Sequence, residues 1–600
     1  MHEVVGYSHL AKSKPGAVLV ETAGQVGITS DGKYLETYEE QVHQSFRNLK
    51  DALAAGGATP ADIVKIRYYI KDWDESKLPP LRDALIGFVN PLNPPPSVLL
   101  SAPALSDPRL LFEVEATAMI EPPTCAESRH NKFSTVDVVV VGAGASGVQA
   151  AVDVQKDGLS CIVLEAMDRI GGRTFSVPAS HLDNGIVELG GAWINDTSQE
   201  KVWALAQKYN IATVEQRVEG WDLTILEDGT VTKQPYGEFA FGKEIFDNEI
   251  FPVFQELDEL SKGIDIQNPA ASPRARELDS ITVAEWARNS HPSPSVYPMI
   301  RMLLESKIGI EPEEISLLFY VSYIAANYGF WNMISDRKNG GQYLRVRGGT
   351  QQFAVCLSKE LLDGSIELSM PVKKIVQQGP SQVRVEAGLD RVIFCKKVIV
   401  TIPTQVYSKI QFSPALPPAK KDLAESTFLG YYSKLALVYR KPWWLEGRTL
   451  FSGTLTSFGN GPIVFTRDTS FPEDDLWVIT CFCVGEAGRK WSWLPEGARR
   501  KAVIDQFNGA LSTVFKNIPD PIAIHELEWT KKEYCPGAPI PIMGPGVLST
   551  NAGKSIAQPF DNIHFAGTET AARSKGFIDG ALLAGSRAAE VSPEYWLSKG

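Results

Sequence analysis

The run Gly142-Ala143-Gly144-Ala145-Ser146-Gly147 has the residue types and spacing of a phosphate-cradling turn. Gly142 permits a tight turn, Gly144 lets backbone approach a pyrophosphate, and Gly147 allows a helix to pack closely on a strand. A helix that starts here, with Ser146 in its first turn, points unpaired N–H groups at phosphate oxygens. Glu165 stands 23 residues after Gly142, where a carboxylate accepts a ribose hydroxyl. Asp168-Arg169-Ile170-Gly171-Gly172-Arg173 then forms a second glycine-rich loop. Its arginines, Arg169 and Arg173, meet phosphate charge, while Gly172 lets backbone approach the ligand. A nicotinamide dinucleotide does not need this second loop, so the cofactor read here is FAD.

These residues need a scaffold, and the flanking sequence supplies one. Val136 to Val141 is a continuous β-branched run, as in a strand buried on both faces of a parallel sheet. Val148 to Lys156 has helical spacing, and Ser160 to Leu164 reads as the next strand, ending at Glu165. Strand, glycines, helix, strand and acid together make a Rossmann-type unit.

A chain of 600 residues exceeds what one core accommodates, so at least two domains are expected. Residues 1–120 read as a compact α+β domain. Val18 to Val26 and Ile63 to Ile70 are strand-like. Tyr38 to Ala55 has a helical period with Val42, Phe46, Leu49 and Leu53 on one side. Phe112 to Ala118 alternates as a closing strand. Residues 121–134 are rich in proline and polar residues and read as a linker to a second domain at 135–600.

With 44% hydrophobic and 22% charged residues the composition is that of an ordinary globular protein. The longest apolar runs are strand-sized, and no membrane helix is expected. Met1 to Leu10 has no signal-peptide character, and Trp596 to Gly600 is not a peroxisomal ending, so a cytoplasmic location is expected. Seven cysteines without a CxxC pair fit a reducing compartment. Cys481 and Cys483 alternate in an apolar stretch and read as core. Eight histidines lack metal-ligand spacing, so no metal site is expected. The net charge of -12 argues against nucleic acid and is compatible with a cationic amine.

Ala23-Gly24-Gln25-Val26, Tyr69-Ile70-Lys71-Asp72 and Phe112-Glu113-Val114-Glu115-Ala116 resemble the reactive-intermediate (enamine/imine) deaminase family. Members usually form trimers with sites between subunits, and active ones carry an arginine in the turn before the last strand. Here that turn reads Ser101-Ala102-Pro103-Ala104-Leu105, and Arg109 sits too close to the strand to match. The resemblance therefore implies a structural role, with a homo-oligomer formed through this domain. Imine hydrolysis is the alternative.

From about Val136 to Val591 the chain resembles the flavin monoamine and polyamine oxidase family. The matching stretches are Val163 to Arg173, Glu188-Leu189-Gly190-Gly191-Ala192-Trp193, Phe565-Ala566-Gly567-Thr568-Glu569-Thr570 and Gly576-Phe577-Ile578-Asp579-Gly580-Ala581. With its N-terminal domain, the whole chain is most similar to the fungal fumonisin or aminopolyol amine oxidases. The resemblance implies a multidomain α/β and α+β protein. FAD-binding segments at about 135–215, 345–410 and 555–592 would interleave with substrate-domain segments at about 216–344 and 411–554. It assigns Ala166, Gly190, Gly191, Ala192, Trp193, Gly567, Thr568, Glu569, Gly576 and Ile578 to the cofactor, with Val372 against the adenine. The helix beginning near Ile578 places its positive end at the flavin N1/O2 edge. Lys434, in Leu429-Gly430-Tyr431-Tyr432-Ser433-Lys434, matches a lysine that holds water near flavin N5. Phe577 matches one wall of an aromatic cage around the amine, and Gln342 a residue lining the substrate side.

Two departures carry consequences. Ala538, in Tyr534-Cys535-Pro536-Gly537-Ala538-Pro539, stands where mitochondrial members link a cysteine to the flavin, so FAD is expected to be non-covalent. Pro539 replaces the second cage aromatic, which leaves more room beside Phe577. Those members also continue into a C-terminal membrane helix, whereas this chain stops soon after Val591. The implied reaction oxidises a neutral primary amine to an imine, with oxygen reduced to hydrogen peroxide and the imine hydrolysed to a carbonyl and ammonia. An apolar pocket lowers the pKa of the amine, so no dedicated protein base is required. L-amino-acid oxidase and polyamine oxidase remain as enzymatic alternatives, and a flavoprotein scaffold as the non-enzymatic one. An amino-acid oxidase needs an arginine for the α-carboxylate, and intact fumonisins, with their extra carboxylates, need a basic funnel. Neither is assigned by sequence.

Overall fold

The computed structural model describes residues 18–29, 32–86, 88–89, 94–120, 133–179, 185–446, 450–459, 461–537 and 539–590. Contacts divide the chain into two units, Met1–His130 and Asn131–Gly600.

In the first unit the helix Tyr38–Ala55 starts with a Thr37/Glu40 capping box. It buries Val42, Phe46, Leu49 and Leu53 against a five-stranded sheet. The sequence reads Val18 to Val26 as one strand, but the structure breaks it into Val18–Glu21 and Gln25–Val26. Both pieces pair with Phe112–Ile120, which on its other side pairs with Ile63–Lys71. The expected closing strand is thus central. Its alternation reports which residues face the helix, and says nothing of which strands flank it. Of the proposed linker, residues 121–132 lie outside the described residues.

The second unit is built on an eight-stranded sheet. Phe133–Val141 lies between Cys161–Leu164 and Arg391–Val400, parallel to both. Val139 and Val140 are fully buried there, as a strand covered on both faces requires. The helices Ala145–Lys156 and Ile578–Ala589, from opposite ends of the unit, pack together on this sheet. A seven-stranded sheet runs in the order 231–235, 221–225, 451–457, 465–468, 477–484, 432–439, 523–528. Cys481 and Cys483 are fully buried in it and free, and burial pushes both thiols up. An apolar helical cluster between residues 250 and 333 completes the unit. Segments of the two sheets alternate along the chain, because each sheet draws strands from segments far apart in sequence.

Candidate functional site

Two cavities meet inside the second unit. The first, about 1510 Å³, opens at the ends of the parallel strands, where ligands of such sheets bind. Gly142 occupies the left-handed region at φ 102°, and its N–H donates to Leu164 O at 2.8 Å. The Glu165 carboxylate accepts from the Ala143 N–H at 2.5 Å and the Met167 N–H at 2.9 Å, tying the glycine turn to the strand beside it. Gly144 caps Ala145–Lys156 with no side-chain acceptor, so the first turn faces the cavity uncapped. A Cβ on Gly144 would meet only Gly172 Cα at 3.9 Å and Gly171 O at 4.0 Å. Ser146 Oγ accepts from the Gly567 N–H at 3.0 Å, joining the first and last motifs.

Of the cofactor candidates, Gly142, Gly144, Ser146, Glu165, Ala166, Gly172, Arg173, Gly190, Gly191, Ala192, Trp193, Val372, Gly567, Thr568, Gly576, Phe577 and Ile578 line this cavity. Three do not. Gly147 faces the strand instead, where a Cβ would lie 1.9 Å from Gly142 O. The Arg169 guanidinium turns back on its own loop, donating to Thr174 O at 2.9 Å and Gly172 O at 2.7 Å over the Phe175 ring. Its guanidinium is spent on loop carbonyls, so it holds the loop's shape rather than meeting phosphate. Glu569 is buried and pairs with Arg173 at 3.0 Å, its second oxygen without a partner.

The far end of the cavity is organised by Glu188, whose carboxylate accepts from the N–H groups of Gly190 at 2.8 Å and Thr350 at 2.7 Å. Gly190 is wedged, since a Cβ would lie 2.4 Å from Arg173 O. Gly191 faces open space, with nothing within 4 Å of a Cβ. Lys434, 4% exposed on the strand Tyr432–Tyr439, donates to Gly190 O at 2.5 Å and lies 5.6 Å from the Trp193 and 5.3 Å from the Phe482 ring centroids. Burial pushes its ammonium down to about 8, opposed by Glu188. Cys535 lines the same cavity, and burial pushes its thiol up to about 11. Ala538 lies outside the described residues.

The second cavity, about 2970 Å³ including its open mouth, shares Gly191, Ala192, Trp193, Lys307, Tyr432, Pro539, Gly576, Phe577 and Ile578 with the first. Gln342 lines the second cavity but not the first. The helical segments contribute Phe246, Phe254, Met299, Leu303 and Met333, together with Asp247, Ser306 and Lys307. The seven-stranded sheet contributes Asp222, Thr224, Gln234, Thr454, Thr456, Phe465 and Arg467. Arg467 donates to Thr454 Oγ1 at 2.8 Å and pairs with Asp336 at 3.6 Å. No cluster of three metal-ligating side chains occurs among the described residues, and none of their helices is long and apolar enough to cross a membrane.

A family model described as flavin containing amine oxidoreductase matches residues 145–591. The chain belongs to this family. The match meets the geometry above: the wedged and open glycines, the uncapped helix and the buried lysine all stand around one cavity. A second model, endoribonuclease L-PSP, matches residues 2–120. The flavin-containing amine oxidase of Oncorhynchus mykiss is 30% identical over 462 residues, covering 76% of this chain and 85% of the relative. Homo sapiens amine oxidase B is 30% identical over 455 residues, covering 76% and 85%. Putrescine oxidase with bound putrescine superposes with a TM-score of 0.70 at 26% identity, covering 76% of this chain and 98% of that one. Cyclohexylamine oxidase from Brevibacterium oxydans IH-35A gives 0.68 at 29% identity, covering 76% and 98%.

The cofactor of this amine oxidase is FAD, and its residues fit the group. The gap before Gly144 and the uncapped helix suit a pyrophosphate, and the open face of Gly191 admits a flat ring. The helix Ile578–Ala589, capped by Phe577 without a side-chain bond, presents its N-terminus to the same space. Sequence reasoning missed several lining residues of the amine oxidase. Thr401, Ile402 and Pro403 follow the strand Arg391–Val400. Their place at the C-terminal end of a parallel strand was a usable signal. Phe482, Lys307, Asp222 and Arg467 carried none, because a phenylalanine in a strand or a lone charge reads as ordinary core or surface.

Proposed function

We propose that this amine oxidase deaminates a primary amine on a long aliphatic chain bearing hydroxyl groups, such as fumonisin or hydrolysed fumonisin, releasing a carbonyl, ammonia and hydrogen peroxide. The observation that carries this reading is the mixed lining of the second cavity. Its helical segments bring apolar side chains that suit a hydrocarbon backbone, and its sheet brings hydroxyl, amide and charged groups. Putrescine oxidase and cyclohexylamine oxidase are named for short amines, so chain length is where this reading departs from them. The arginine that an amino-acid oxidase requires finds no support in Arg467, which is engaged by Asp336 and Thr454.

FAD supplies the two-electron acceptor and passes its electrons to oxygen. In this reading the glycine turn would hold the pyrophosphate, Glu165 the ribose, and Val372 the adenine end, while Arg173 lines the cavity paired with Glu569 and Pro539 O. Phe577 orients the amine at the junction of the cavities, with Pro539 leaving room beside it. Gln342 lines the path of the chain. Lys434 holds a water against the flavin. A buried thiol pushed up to about 11 is a poor nucleophile, which favours a non-covalent flavin beside Cys535. For the N-terminal unit we propose an assembly role in a homo-oligomer. Arg109 is exposed, paired with Asp107 at 2.7 Å and lying over the Tyr34 ring. Deletion of residues 1–120 should lower the number of copies per particle, read by light scattering as the particle mass divided by the mass of the truncated chain.

The substrate test is peroxide release from hydrolysed fumonisin, hexylamine, spermidine and phenylalanine, with the flavin spectrum recorded alongside. Preferential turnover of the aminopolyol is expected. Turnover of phenylalanine or spermidine alone would overturn the reading.

A further inference from the structure

The enzyme oxidises a neutral amine, yet an aliphatic amine reaches it as an ammonium, with a pKa near that of lysine, about 10.4. Sequence alone leaves that proton to an apolar environment. The structure offers a receiver. Of the nine residues lining both cavities, Lys307 is the one with a charged side chain. It stands at the C-terminal end of the helix Val296–Ile308, and its Nζ has no hydrogen-bond or ion-pair partner among the described residues.

The carboxylate bearing on it, Asp336, is engaged by Arg467 and the Tyr236 hydroxyl. Lys307 is half-buried where the two cavities meet, with no counter-charge bonded to it among the described residues. We propose that Lys307 is the proton acceptor for the incoming substrate ammonium. This rests on the amine chemistry proposed above and not on the length of the substrate chain.

The groups bearing on Lys307 are consistent with that role. From the strand Phe465–Asp468 comes Arg467, from the loop after the helix Phe330–Ile334 comes Asp336, and beside them stand the phenols of Tyr432 and Tyr323, both held neutral by burial. Burial and Arg467 push the Lys307 ammonium down to about 7, with Asp336 opposing. Above neutral pH its nitrogen therefore carries a lone pair. One N–H bond breaks on the substrate and one forms on Lys307 Nζ. The charge of the site is unchanged, and the substrate nitrogen keeps the lone pair that oxidation needs. Lys434 is not placed for this step, since it lines only the first cavity and is bonded to Gly190 O.

The test counts protons. 1,1-Dimethylhexylamine has no hydrogen on the carbon bearing nitrogen, so it binds without being oxidised. Its binding to holoenzyme is followed by calorimetry in buffers of different ionisation enthalpy. At pH 8.5 the wild type should release close to no proton, because Lys307 takes it; at pH 6, with Lys307 already protonated, it should release about one. Lys307→Met should release about one at both pH values, and Lys307→Arg, a permanent cation, should do the same. Equal proton release by wild type and Lys307→Met, or wild-type behaviour of Lys307→Arg, would overturn the proposal. Anaerobic flavin bleaching by hexylamine is the second readout, with a limb near pH 7 in wild type that disappears in Lys307→Met. Coincident profiles with normal bleaching would refute the acceptor role and leave the amine chemistry standing.

Discussion

Lys434→Met separates what the buried lysine costs the fold from what it does for the chemistry. Burial lowers its pKa from 10.5 to about 8, so the folded state holds its proton less tightly than the unfolded chain does. At about 1.4 kcal/mol for each pKa unit, the charged lysine costs the native state about 3 kcal/mol at pH 7. The sign follows from the direction of the shift. The penalty is full below the folded pKa of about 8 and is relieved as pH rises toward the unfolded value of 10.5. Between pH 8 and pH 10 the wild type should therefore regain about 2 kcal/mol on Lys434→Met. The packing difference at position 434 does not depend on pH and cancels in this comparison, while the bond to Gly190 O weakens together with the charge. For a unit of this size the unfolding entropy is about 1 kcal/mol per degree, so the difference in Tm between the two proteins should narrow by about 2 °C. Calorimetry of the apoproteins at matched scan rates from pH 7 to pH 10 reads it directly. A Tm difference constant across that range would refute the assignment of Lys434 as a buried, titrating ammonium. With FAD bound, the same variant should retain the flavin and reoxidise more slowly with oxygen.

Neighbouring glycines should behave differently. Gly190→Ala drives a Cβ to 2.4 Å from Arg173 O and 2.5 Å from Phe175 N, both backbone, and should lose about 1–3 kcal/mol of apoprotein stability. Gly191→Ala meets nothing within 4 Å, so the apoprotein Tm should hold while FAD affinity falls; matching Tm losses would contradict this. Glu165→Ala leaves the N–H groups of Ala143 and Met167 without their acceptor. At about 1.5–3 kcal/mol per bond to a charged group, the Kd for FAD in a flavin fluorescence titration should rise at least about tenfold. Acid precipitation of the wild type should release all of its flavin to the supernatant, and a yellow pellet would mean a covalent link.

The features legible in sequence are those that local chain geometry decides. Gly142, Gly144 and Glu165 are brought together by two strands, one turn and one helix within about thirty residues, so their spacing announces their place in space. The helix Tyr38–Ala55 was readable to its ends, because period and capping box are local too. Arg169 was misread because composition reports a cation in a loop and not the carbonyls it turns toward.

The residues alone thus determined the dinucleotide chemistry, the two-part chain and the lysine whose burial demanded a reason. Only the tertiary structure decided that Phe112–Ile120 lies in the middle of its sheet, and that helices and strands between residues 222 and 467 line one cavity. It alone decided that Lys307 stands where that cavity meets the flavin site. The physical reason is the same in each case. Side-chain periodicity records whether a residue faces inward, but which neighbour it meets there is set by long-range pairing and packing that no short window contains.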